Sequence, residues 1–248
     1  MTEAITVDRR DEVTLVEMDD GKVNALSTEF MGELGNKLEK ATAQEQPVVL
    51  TGNGHAFSAG LDLEEVPTLD REGLRELLDH FKTGTEAILT AEVPVIAALE
   101  GFAVAGGGIF ALTCDYRVAH PEADIGCTEL EVGIPFPPTD LSLFEARLPP
   151  QTVRRTILQP RKVHGQEALE LGWIDELDEN PVEGALAATD TIGGTNPEAF
   201  RRVKQRLNEP ILDTWESLFE GAFDEYVELL DSRQTQEAIL QGIQRVMD

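Results

Sequence analysis

An α/β fold is the class this sequence predicts, and three observations predict it. A short apolar run, a glycine-rich turn and a helical stretch recur in that order at Pro47 to Val66 and again at Pro94 to Thr113. Between the two repeats, Arg71 to Thr90 reads as a long amphipathic helix with Leu74, Leu77, Leu78 and Phe81 on one face. The chain has 248 residues, 41% of them hydrophobic, which is enough for a full core in one domain with a helical appendage.

The elements follow in chain order. Residues Ala4 to Met18 alternate as a β-hairpin turning at Arg9-Arg10-Asp11. Lys22 to Ser27 forms a loop in which Ser27 caps a helix over Thr28 to Ala43. Val48 to Thr51 is a buried strand, and Gly52 to Leu63 brings small residues to the place where it ends. Val95 to Leu99 is a second buried strand, followed by Gly106-Gly107-Gly108 and apolar Ile109 to Leu112. After Pro138 the reading is mostly helical, over about Thr139 to Arg147, Pro150 to Leu158 and Gly165 to Leu171. Asn196-Pro197 then opens a helical tail to Asp248, with Asn196 as cap and Pro197 in the first turn. The expected division is a core over 1–195 and a helical region over 196–248.

Three adjacent glycines remove every side chain from the first turn of a helix, so backbone there can approach a ligand and offer its free amides. A phosphate is a poor guest. The Lys-Ser or Lys-Thr pair of a phosphate-binding loop is replaced by Ile109-Phe110, and the glycine spacing does not fit a dinucleotide fingerprint. An oxyanion held by backbone donors, or plain close packing of helix on strand, remains. A second small-residue junction at Ala59-Gly60-Leu61 favours the first, because two junctions can each give one amide to the same oxygen.

At these residues the chain resembles the crotonase, or enoyl-CoA hydratase/isomerase, superfamily. The matching segments are Ala56-Phe57-Ser58-Ala59-Gly60-Leu61-Asp62-Leu63 and Pro94 to Gly108, then Cys114 to Ala119 and Glu129 to Pro135. The resemblance runs from about Val13 to about Asp178 and implies a spiral of strand–strand–helix repeats. It also implies that the amides of Leu61 and Gly107 polarise an acyl-CoA thioester carbonyl. Ala25, Ala59, Asp62 and Leu63 are implied substrate contacts, with Lys22 a weaker one. Coenzyme A belongs to the substrate, so no separate cofactor is expected, and no metal.

Hydratases of the family look to two glutamates, and the resemblance places them at Phe110 and Glu129 here. Phe110 is the chief departure. Moving a double bond needs only one base to take a proton from C2 and return it at C4, so a lone Glu129 suits an enoyl-CoA isomerase. Phe110, a substrate-pocket residue by position, would dry the site and raise the Glu129 pKa. An enoyl-CoA hydratase is the alternative; a thioester hydrolase or a non-catalytic CoA-thioester binder stands behind it. Glu131 is the competing carboxylate, since in an extended segment it shares a face with Glu129. Asp62 and Glu64 read as acids at a helix start, Asp115 and Arg117 as structural; Asp140 is too loosely placed to assign.

Asp and Glu total 47 against 20 Lys and Arg, for a net charge of −27. That excess argues against nucleic acid or an anionic membrane as partner. Spread along the chain, it suggests a salt-adapted surface. The CoA phosphates need local cations, for which Arg154, Arg155, Arg161 and Lys162 form one candidate cluster and Arg201, Arg202, Lys204 and Arg206 another. Cys114 and Cys127 give no disulfide framework. No leader and no apolar run of membrane-span length is read, so the cytoplasm is the expected location. A homotrimer or hexamer is the assembly the resemblance implies.

Overall fold

Val48, Val49 and Leu50 of β4 (Val48–Thr51) and all of β6 (Val95–Leu99) are buried on both faces, as strands covered on both sides by other layers must be. They form the centre of a six-stranded sheet in the computed structural model, which describes residues 3–10, 12–221 and 223–247. The sheet starts with the expected hairpin, β1 (Ile5–Arg9) and β2 (Thr14–Met18), paired antiparallel from Ile5–Met18 to Arg9–Thr14. Asp11 of its turn lies outside the described residues. Every later pairing is parallel: β2 with β4, β4 with β6, β6 with β8 (Tyr116–Ala119), and β8 with β10 (Glu176–Leu177).

The second layer is made of very short strands. β3 (Ala25–Leu26) pairs with β5 (Gly60–Leu61), and β7 (Phe102–Val104) pairs with β9 (Asp124–Gly126). Ser58 joins the two pairs, donating its amide to Phe102 O at 2.9 Å and accepting from the Val104 amide at 3.0 Å. Each repeat thus contributes a long strand to the main sheet, a short one to this layer and a helix outside, as a spiral of strand–strand–helix units.

The helices begin where their caps say. Ser27 Oγ accepts from the Phe30 amide at the head of α1 (Thr28–Thr42), and Asp70 Oδ1 from the Gly73 amide at the head of α2 (Arg71–Leu89). The short α3 (Gly106–Thr113) is buried throughout. Then come α4 (Pro138–Arg147), α5 (Pro150–Thr156), α6 (Gly165–Glu170) and α7 (Pro181–Ala188).

Asn196 caps the tail with its side chain, 3.1 Å from the Ala199 amide. The tail divides into α8 (Pro197–Gly221), α9 (Phe223–Leu230) and α10 (Arg233–Met247). Its Ile211, Trp215, Tyr226, Val227, Leu230 and Ile239 belong to the same continuous apolar core as the sheet. Burying such side chains contributes about 1.5–3 kcal/mol each. A buried ion pair also ties the tail down: Lys204 Nζ lies 2.6 Å from Asp115 Oδ2 and 3.1 Å from Val93 O. Among the described residues no helix is long and apolar enough to cross a membrane.

Candidate active site

Two turns of backbone are pressed together at the centre of the molecule. A Cβ on Gly60 would lie 2.5 Å from Ala105 Cβ and 2.9 Å from the Gly106 nitrogen, and one on Gly107 would strike the Ser58 carbonyl. The glycines are needed for packing, and this packing is what sets strand end β5 beside the first turn of α3. Ala105, just ahead of α3, takes φ +50° without being a glycine, an uncommon conformation in which its amide donates a hydrogen bond to Gly126 O at 2.8 Å.

The amides at this junction have defined directions. Asp62 donates to Leu26 O at 3.3 Å, and Leu61 pairs with Leu26 at the end of β5, beside the first turn of α3. Gly107 stands second in α3, among the amides that no intrahelical carbonyl can reach. Upstream, buried Asn24 adopts φ +53° and donates its side-chain amide to Met18 O and Ala56 O, both at 2.9 Å. It thereby locks the Lys22–Ala25 loop against the Ala56–Leu61 segment.

Two cavities meet here. The outer cleft, of about 640 Å³, is lined by Lys22, Ala25, Ala59, Asp62 and Leu63, with Lys162 on its wall. The inner cavity is small, about 60 Å³, and mostly apolar, walled by Leu78, Phe81, Ile109, Phe136 and Trp215. Leu61, Glu129 and Ile134 line both. Of the residues singled out from sequence, Lys22, Ala25, Ala59, Leu61, Asp62, Leu63 and Glu129 are brought together, and Gly107 stands behind them in the α3 turn. Phe110 is not among the lining residues: its ring packs edge-on against Phe81 at 5.0 Å and against Gly84, so it meets the cavity only through Phe81.

Glu129 sits in a single 3-10 turn, Glu129–Glu131, not in an extended segment. Three residues per turn separate positions i and i+2 by about a third of a turn. Glu129 therefore points inward, 6% exposed, while Glu131 stays exposed on the rim of the outer cleft. The Glu129 carbonyl accepts from the Val132 and Ile134 amides at 3.1 and 2.9 Å, which fixes the turn to Gly133-Ile134-Pro135. Its Oε2 has no hydrogen-bond partner among the described residues. Burial pushes its carboxyl up to about 8, the Asp140 charge adds to the rise, and its own backbone amide opposes it.

Asp140, unassigned from sequence, is buried on the wall of the inner cavity. Burial raises its carboxyl to about 7 against the opposing Thr139 hydroxyl. The site therefore holds two buried carboxyl groups, not one. The cation assignments also change. Lys204 is inside the protein on Asp115, and Arg201, Arg202 and Arg206 pair with Glu198 or Glu209 on their own helix. Arg161 pairs with Glu167. Lys22 and Lys162 are the cations on the cleft, and Lys162 is held 3.1 Å from Asp124 and over the Phe102 ring. Asp62 caps the next turn through the Glu64 and Glu65 amides, and Arg117 pairs with Asp175 at 2.7 Å. Among the described residues no group of three or more His, Cys, Asp or Glu side chains is placed to hold a metal ion.

The sequence profile described as enoyl-CoA hydratase/isomerase matches residues 8–245. The chain belongs to that family. Its relatives within the enoyl-CoA hydratase/isomerase family include the peroxisomal bifunctional enzyme of Danio rerio, 32% identical over 215 residues, covering 85% of this chain and 29% of that protein. The chain thus spans about three tenths of the length of that relative. Enoyl-CoA delta isomerase 3 of Arabidopsis thaliana is 26% identical over 216 residues, covering 82% of this chain and 91% of that one. Among solved structures, an enoyl-CoA isomerase of Mycobacterium tuberculosis matches with TM-score 0.80 and 29% identity, over 89% of this chain and 98% of that one. An enoyl-CoA hydratase of Mycobacterium ulcerans matches with TM-score 0.85 and 25% identity, over 90% and 99%. The human mitochondrial delta3-delta2-enoyl-CoA isomerase shares the fold at TM-score 0.93, with 23% identity and 99% and 98% covered. Both activities stand among these family members, so the chemistry of this chain has to be argued from its own site.

Proposed function

We propose that this protein acts on acyl-CoA thioesters, stabilises the enolate between the Leu61 and Gly107 amides, and shifts a carbon–carbon double bond. The observation that carries the reading is the Glu129 carboxylate, buried, with Oε2 unpartnered among the described residues, where the outer cleft meets the apolar cavity. The cleft takes the CoA portion and the inner cavity takes the acyl chain, which puts the thioester carbonyl at the junction. Two backbone donors aimed at that oxygen stabilise the charge that develops when C2 loses its proton. Glu129 takes that proton. With its pKa raised toward neutrality, it is a base matched to the task. Apolar walls offer a nucleophilic water few polar partners, which favours double-bond migration over hydration.

Hydration is the second reading, and Asp140 is what favours it, because it restores the count of two carboxyl groups that water addition uses. With either reaction we propose a homotrimer or hexamer. Exposed Val203 and Leu207, one turn apart on α8, offer such an assembly an apolar contact.

The test uses purified protein in molar KCl with a 3-enoyl-CoA and, separately, a 2-enoyl-CoA. Ultraviolet absorbance of the conjugated thioester should grow from the first substrate and persist with the second. Rapid loss of signal from the second would instead establish a hydratase. In the same assay Glu129→Gln should lower turnover by about 10²–10⁴-fold, while binding of the CoA thioester changes little.

A further inference from the structure

We propose that Asp140 is a second catalytic residue, which delivers a proton to C4 of the acyl chain after Glu129 has removed one from C2. The inference rests on the double-bond-shift reading above and assigns its second half.

The placement carries it. Glu129 lines both cavities, whereas Asp140 lines only the inner one. An acyl chain entering from the cleft passes Glu129 first and Asp140 further along, so the deeper carboxyl faces a later carbon. Asp140 is 5% exposed, with no ion pair among the described residues to offset its burial, and its hydrogen bond to Thr139 Oγ1 is long at 3.5 Å. An acid in the first turn of a helix ordinarily complements the dipole from the solvent side. One lining the same apolar cavity as Glu129, whose Oε2 has no hydrogen-bond partner among the described residues, is placed for proton chemistry instead.

The surroundings keep the pair carboxyl-only. Tyr226 from α9 is committed to Pro135 O at 2.8 Å, and burial together with the two acids holds its phenol protonated. The Cys127 thiol is raised by burial and stays neutral. Lys82 of α2 reaches the cavity wall with its ammonium 3.4 Å from Glu86. Two buried acids on one cavity share a proton at neutral pH, because the charge on one opposes ionisation of the other; the proton rests more on Glu129, and the reactive form is the one in which it has crossed to Asp140. In the step itself Glu129 carboxylate accepts the C2 proton, and the C2–H electrons become the enolate. The double bond moves from C3–C4 to C2–C3 as C4 takes the proton held by Asp140. Glu129 is then protonated and Asp140 ionised, and one proton passing between them, directly or through solvent, restores the start.

The experiment compares wild type, Asp140→Asn and Glu129→Gln in D₂O, following C2 hydrogen exchange by NMR and double-bond migration by absorbance. Asp140→Asn should keep C2 exchange within about threefold of wild type while migration falls about 10²-fold; Glu129→Gln should lose both. Loss of both in Asp140→Asn, or of neither, overturns the assignment. If that variant does not fold, the wild-type enzyme with a C2-deuterated 3-enoyl-CoA in H₂O decides. In a single turnover with enzyme in excess, solvent hydrogen at C4 supports two carriers, and deuterium delivered to C4 means Glu129 works alone. A wild type that neither exchanges nor isomerises refutes the double-bond reading itself, which is a separate outcome from an active enzyme indifferent to Asp140.

Discussion

The outer cleft and the inner cavity share Leu61, Glu129 and Ile134, yet they are built by different rules. The cleft is wide, and its floor is backbone and small side chains: Ala25, Ala59, the β5 strand end and the loop that Asn24 locks in place. The inner cavity is about a tenth as large, and side chains define it, from Phe81 and Trp215 on its walls to the two carboxyls. The difference teaches how the chain divides its work. Recognition through main-chain groups survives sequence change as long as the loops keep their path. On the proposed reading, proton chemistry depends on particular carboxyl groups and on their burial.

A substitution where the two regions meet should have the largest effect. Gly107→Ala puts a methyl group into the Ser58 carbonyl and must push β5 and α3 apart. Since losing one oxyanion donor costs about 10²–10³ in kcat, turnover should fall at least that far, with a lower melting temperature in the same preparation. Normal turnover in Gly107→Ala would show that the close approach is not what positions the donors.

The inner cavity should next reveal itself through pH. A carboxyl raised by burial binds its proton more tightly in the folded state. Its contribution is therefore fully present below about pH 4, the unfolded pKa, and is lost as pH rises through about 8, the folded value for Glu129. Glu129→Gln, which cannot ionise, should gain on wild type as pH climbs across that window. Melting curves should differ by several degrees at pH 9, and the excess of Glu129→Gln should disappear near pH 4. An excess that stays constant with pH would mean that Glu129 ionises in water-like surroundings.

The smallest effect belongs to the cleft. Lys22→Ala and Lys162→Ala should each raise KM for the CoA substrate a few-fold and leave kcat unchanged, since both cations line the outer cleft and not the inner cavity. Screening should shrink even that difference in molar KCl. A drop in kcat from either variant would break the division between the two regions.

Much of this was readable from the sequence, for reasons that differ by element. β4 and β6 announce themselves because buried parallel strands are continuous apolar runs, and Ser27 and Asn196 because caps act locally. The two-residue strands β3, β5 and β10 carry no periodic signal and exist only because neighbours pair with them. Glu129 was identifiable by its place before Gly133-Ile134-Pro135, but its inward aim comes from a 3-10 turn that a polar segment does not reveal. Asp140 sits eleven residues on among prolines and looks like an ordinary helix-start acid. Its meaning arises when α4, α9 and the Glu129 turn close around one space. Lys204 reads as one of four basic residues on a helix face, and only its bonds to Val93 O and Asp115 in the folded chain make it a core residue.

The tail's path has one more consequence. α10 presses on the turn after Glu129 so closely that a Cβ on Gly133 would lie 2.5 Å from Ala238 Cβ, and one on Gly242 would lie as near to Val132 Cα. Ile243 of the same helix reaches the outer cleft, and Trp215 and Tyr226 upstream close the inner one. On the proposed reading the spiral supplies the reaction centre while the last fifth of the chain furnishes part of the room around it. Grafting tails between relatives of this fold would exchange acyl-chain preference as a cassette, leaving the catalytic turns unedited.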